Sequence, residues 1–209
     1  LAAMGYAVLQ VNHRGCEGFG TAHRTAFQDS FDRVAAEDIV ACIDWISARE
    51  NINPKLAAVF GVGFGGYFAL RAMELFPDRF RCGMVVNPQT DLAMLLAYTP
   101  DGQTMRGDVY RAVFGKDTKR LDAISAVKQA AALTQPLLIV RNKMREEAPA
   151  DVLRSALSRL GRKPEVLEVG DEFLRGPEAT AKAFEQIEGF LNLNVYRFGA
   201  DAGETKVVE

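Results

Sequence analysis

Histidine is nearly missing from this chain: His13 and His23 are the only two in 209 residues, so nothing beyond position 23 can supply an imidazole. Imidazole is the commonest general base and a common metal ligand, so its absence narrows both kinds of chemistry. Cysteine is also scarce. Cys16, Cys42 and Cys82 are too few and too scattered for a disulfide framework or a zinc site. Cys42 and Cys82 lie in apolar segments and read as small buried residues. Without a disulfide framework a reducing, cytoplasmic compartment is favoured, and a periplasmic one follows only if a signal segment lies upstream. Neither sign of charge is in excess: the net charge of −2 gives no basic field for nucleic acid and no acidic tail. Long apolar runs are lacking too, and none approaches the ~20 residues of a membrane helix. No repeat, low-complexity segment or metal-ligand spacing stands out, and no cofactor is expected.

With 48% of residues hydrophobic, the chain can bury one sizeable core. Residues 1–5 read as the last turn of a helix closed by Gly5, a place where a domain rarely begins, so the chain reads as having lost an upstream part. Short apolar runs of strand type fall at residues 7–12, 56–60, 82–86, 137–140 and 166–169. Helical spacing is read for residues 32–50, 67–75, 122–133, 150–160 and 178–191. Strands alternating with helices predict an α/β domain over residues 1–191, with a doubly wound, mostly parallel sheet and a loose polar tail at 192–209. In such sheets ligand chemistry gathers in the loops after the carboxyl ends of the strands.

One of those loops is Gly61-Val62-Gly63-Phe64-Gly65-Gly66. It matches G-x-G-x-x-G, the dinucleotide fingerprint, whose glycines let the backbone approach a pyrophosphate. That reading wants an acidic residue at the end of the next strand, where the chain instead has Asn87-Pro88, with Asp91 beyond the proline. The other reading is a nucleophile elbow, G-x-S-x-G, with Gly63 where the serine belongs.

The surrounding residues favour the elbow. Asn12-His13-Arg14-Gly15-Cys16-Glu17-Gly18-Phe19-Gly20 resembles the N-Y-R-G-S-x-G-[FY]-G stretch of acylaminoacyl-peptidase-type members of the prolyl oligopeptidase family. Glu37-Asp38 with Asp44-Trp45, Phe76-Pro77-Asp78-Arg79-Phe80, Ala123-Ile124-Ser125 and Gln135-Pro136-Leu137-Leu138-Ile139-Val140 resemble further landmarks of that family, in the same order. The resemblance implies an α/β-hydrolase fold lacking its first strands. It also implies an upstream part that in most members includes a β-propeller, and peptides or a protein partner as ligands.

The family's triad is expected at Gly63 for serine, Arg145 for aspartate and Leu174 for histidine, so none of its members is intact. Glu146 and Glu147 flank the aspartate position and offer a carboxylate only after a local shift. The Phe64 N–H, with His13 and Phe19 on the early loop, would line a vestigial oxyanion site or cleft. A His13–Cys16 couple is the other nucleophilic arrangement available, with Glu17 as its nearest carboxylate. The expectation is therefore a degenerate, non-catalytic hydrolase domain. Its alternatives are a serine-type hydrolase using other groups, a binding or scaffold module, and a dinucleotide-binding domain.

Overall fold

A computed structural model describes residues 1–28, 30–49, 52–99, 105–142, 149–173 and 175–196. Among them, four strands form one parallel sheet: β1 (Ala58–Val62), β2 (Cys82–Val86), β3 (Leu137–Asn142) and β4 (Glu165–Val169), in the order β1-β2-β3-β4. Helices separate them: α1 (Thr21–Thr25) and α2 (Phe31–Ser47) precede β1, and α3 (Phe64–Leu75) joins β1 to β2. Next come α4 (Leu92–Ala97), α5 (Met105–Phe114) and α6 (Thr118–Ala123) before β3, then α7 (Pro149–Arg159), and α8 (Pro177–Leu191) after β4. A sheet that advances in one direction with right-handed crossovers keeps its crossover helices on one face. Accordingly α2, α3 and α7 bury Val40, Leu70, Met73 and Leu153 against Val59, Val85, Leu137 and Ile139. On the opposite face, α8 brings Ala183, Ile187 and Phe190 onto Met84, Val86, Leu138, Val140 and Leu167.

The first apolar run is the main departure from expectation. Residues 7–12 form no strand in the described sheet, and Val8 and Leu9 are 59% and 43% exposed. A strand exists only through its ladder of partners, and this segment finds none among the described residues. The side of β1 away from β2 is likewise open. Phe60 and Val62, on the α8 face, remain 41% and 46% exposed. A sheet margin lacking its neighbouring strands is what the truncated hydrolase fold requires.

Smaller differences follow from side chains the periodicity did not weigh. Residues 122–133 do not form one helix. Ser125, fully buried, donates its hydroxyl to the Leu121 carbonyl and accepts the Leu92 N–H, closing α6 and tying it to α4. The helix after the glycine turn begins at Phe64, earlier than its apolar spacing suggested. Residues 1–5 do end as expected, in a 3-10 turn at Ala2–Met4 with Gly5 at φ 84° and its N–H on the Ala2 carbonyl. The polar segment from Asn192 keeps a wide helical turn, Asn192–Tyr196, that buries Val195, while residues 197–209 lie outside the described residues. No described helix is long and apolar enough to cross a membrane.

Candidate functional site

The carboxyl ends of the strands meet at the turn between β1 and α3. Gly63 sits there at φ 58° and ψ −117°, a conformation that costs a residue with a Cβ strain but glycine little. The turn is held from both sides. The Gly63 N–H donates to the Val86 carbonyl (2.9 Å), and its own carbonyl accepts the N–H groups of Tyr67 and Gln89, each at 3.2 Å. Close approach of strand and helix depends on two other glycines. A Cβ at Gly61 would stand 2.1 Å from the Gly65 carbonyl oxygen, and one at Gly66 would stand 2.9 Å from Pro88. A Cβ at Gly63 itself would meet nothing within 4 Å. A sharp strand–turn–helix is therefore built, and its apex is open and bare.

Phe64 opens α3, whose N-cap Gly63 offers the first turn no side-chain hydrogen bond. The Phe64 ring packs on Tyr110 and Phe114 at 5.3 and 5.4 Å. The early loop docks against the same helix. His13 meets Phe68 edge-on at 4.8 Å and stacks over Phe27, with Nδ1–H donating to the Arg14 carbonyl at 2.7 Å. Phe19, by contrast, is 55% exposed and its ring contact is with His23, so it lies out along the loop.

The loop is anchored by charge. Arg14 places Nε and Nη2 on both Asp38 oxygens of α2, while its backbone N–H donates to Asp38 Oδ2 at 2.7 Å. Burial pushes the Asp38 carboxyl up, but these hydrogen bonds outweigh it and hold the group below its ordinary range. At Cys16 burial wins over the backbone hydrogen bond at His13 that favours the thiolate. The Cys16 N–H closes a turn on the His13 carbonyl, and burial raises the thiol, so the thiolate a nucleophile needs is disfavoured.

At the other strand ends a polar chain crosses the sheet that the sequence reading did not single out. Asn87, at φ 43°, accepts the Asn142 N–H on its side-chain oxygen at 3.0 Å. The buried Asn142 amide in turn donates to Asp171. The signal was present: each of the three polar residues ends an apolar strand run, where the loops of a parallel sheet converge. Beside the turn, a cavity of about 180 Å³ lies between Gln89, Asp91, Met94, Tyr98, Pro149 and Val152, with mostly apolar walls. Asp91, the carboxylate weighed for a ribose, caps α4 through the Met94 N–H at 2.8 Å. The positions expected for the triad aspartate and histidine, Arg145 and Leu174, lie outside the described residues, as do Glu146 and Glu147.

The sequence profile of the prolyl oligopeptidase family matches residues 1–150. The chain belongs to that family. Its α/β-hydrolase sheet is that of a prolyl oligopeptidase-family serine peptidase domain. Among curated relatives, dipeptidyl peptidase family member 6 of Caenorhabditis elegans is 30% identical over 203 residues, covering 91% of this chain and 27% of that protein. Dipeptidyl aminopeptidase BIII of Pseudoxanthomonas mexicana is 32% identical over 100 residues, 48% of this chain and 14% of that protein. The chain thus spans under a third of the length of either. Among solved structures, a puromycin-hydrolyzing peptidase of Mycobacterium tuberculosis superposes with a TM-score of 0.76 at 18% identity, over 88% of this chain and 29% of that one. The Pyrococcus horikoshii acylaminoacyl peptidase gives 0.73 at 15% identity, over 88% of this chain and 31% of its own. At these identities the structures establish the shared fold.

Proposed function

We propose that this domain is a non-hydrolysing member of the prolyl oligopeptidase family that retains its cleft to bind a peptide or a protein segment. One observation carries the reading: the elbow keeps its backbone geometry at Gly63 while presenting no side chain to acylate. The absence of any histidine after His23 supports it from composition, because a base is needed to take a proton from any hydroxyl. What the site offers is recognition: the N–H groups at the start of α3, and an apolar cavity sized for a side chain beside them.

A fluorophosphonate probe and aminoacyl or acylaminoacyl chromogenic amides test this directly. The expected outcome is no covalent label and no turnover. Stoichiometric labelling, lost on substitution of one residue, would overturn it.

The open margin of β1 supports a second part of the reading, that the domain works within a longer polypeptide whose further strands, and a propeller in most relatives, lie upstream. Phe60 and Val62 would otherwise face water on an edge able to pair with another chain. The 209-residue chain alone is expected to associate. A monomer that unfolds cooperatively would count against it.

A further inference from the structure

Away from the elbow, the interface between α2 and α3 buries three ionisable groups that the site does not use. Arg71 of α3 lies between Asp32 of α2, at 3.0 Å, and Glu74 one turn further along α3. The side chains of Arg71 and Glu74 are 8% and 2% exposed, that of Asp32 14%. Two carboxylates therefore share one guanidinium in a place nearly closed to water. The sharing is incomplete: Glu74 Oε1 and Arg71 Nε are buried without a hydrogen-bond partner among the described residues.

The two carboxylates are not equivalent. Asp32 stands in the first turn of α2, where the helix dipole favours a negative charge. Glu74 stands in the last turn of α3, where the dipole opposes one, and follows its arginine in the less favourable order along the helix. The other groups facing the cluster are Tyr67 of α3, whose hydroxyl donates to the Ile124 carbonyl, and Arg120 of α6. Neither supplies Glu74 with a second cation.

We propose that the Asp32–Arg71–Glu74 cluster is a proton-binding switch in which uptake of one proton by Glu74 tightens the α2–α3 interface. Neutral Glu74 leaves Asp32 and Arg71 as a matched pair and gains a hydroxyl able to donate. Ionised Glu74 leaves a buried excess negative charge. Burial, outweighing the attraction of Arg71, pushes the Glu74 carboxyl up to about 7. A folded-state value above the unfolded one means that the folded chain binds more protons, so stability falls as pH rises through that window. The interface matters to the site because α2 carries Asp38, which anchors the early loop, and α3 begins at the elbow. The device goes beyond the non-hydrolysing reading and stands or falls separately from it.

Carboxyl-carbon NMR of the glutamate-labelled protein tests it first. One glutamate resonance is expected to titrate near neutrality and to vanish in Glu74→Gln; Asp32→Asn, which removes the neighbouring charge, should move that titration to lower pH. In urea denaturation the wild-type unfolding constant should rise on the order of 30-fold between about pH 5.5 and about pH 8, and Glu74→Gln should abolish that rise. Exchange of the Phe64 and Gly65 amides, corrected for intrinsic base catalysis, should quicken over the same interval in the wild type alone. A Glu74 resonance titrating in the ordinary glutamate range would overturn the proposal, as would an unchanged pH dependence in Glu74→Gln. Should that variant fail to fold, the wild-type resonance still decides.

Discussion

The turn at Gly63 and the strand ends at Asn142 and Asp171 lie at the same carboxyl end of one sheet, yet they are held in opposite ways. The turn keeps its backbone shape with no side chain to present. The strand ends carry polar side chains and spend them on each other, Asn87 to Asn142 to Asp171, tying β2, β3 and the end of β4 together. The difference lies in what holds each region. The turn's shape follows from packing that the fold needs anyway: Gly61 under Gly65, Gly66 against Pro88, and the Gly63 N–H on Val86. The strand ends are held instead by side-chain hydrogen bonds, which depend on three particular polar residues.

The comparison would break most visibly at Gly61. A Cβ there meets backbone rather than a movable side chain, so Gly61→Ala should cost about 3 kcal/mol or more. A chemical denaturation midpoint within error of the wild type would mean that the close strand–helix approach does not hold the turn. Gly63→Ala comes next. Its Cβ has room, leaving only the strain of positive φ, of about 1–3 kcal/mol. If the alanine variant proves equally or more stable, Gly63 does not occupy the elbow conformation. On the strand-end side, Asn142→Ala removes the amide's bond to Asp171 and is expected to cost about 1–2 kcal/mol. Its effect should add to that of Gly63→Ala if the two regions are independent; a double-mutant coupling well above about 0.5 kcal/mol would show that they form one unit. The smallest expected change is in activity. Gly63→Ser has room for the side chain but no histidine after His23 to activate it, so amide hydrolysis should stay at background. A clear rate from that single variant would reveal a hidden base.

Much of this was readable in the chain. The runs at 82–86 and 137–140 are apolar throughout because both faces of a parallel strand are covered, and they appear in place as β2 and β3. The elbow was legible because glycines at fixed offsets imply a tight turn whether or not a serine stands among them. The run at 7–12 misled for a definite reason: Val8, Leu9 and Val11 carry strand propensity, but a ladder needs neighbours. The helices α4 and α5 were not read at all; α4 is under two turns long and leans on Asp91 at its start, too short for periodicity to show. Which glycine must lack a Cβ was not legible: it is Gly61, whose Cβ would meet the Gly65 carbonyl.

Composition and local pattern alone determined that the chain alternates strand and helix, that a glycine-rich turn follows one strand, and that it has no late histidine. These are properties of single residues or short windows, and no folding is needed to read them. Only the tertiary structure decided which glycines are sterically required, that Gly63 adopts φ 58°, and that Asn87, Asn142 and Asp171 meet. It alone placed Asp32 and Glu74, 42 positions apart, around one arginine. Contacts between distant positions depend on crossovers and helix packing, and no window of sequence contains both partners.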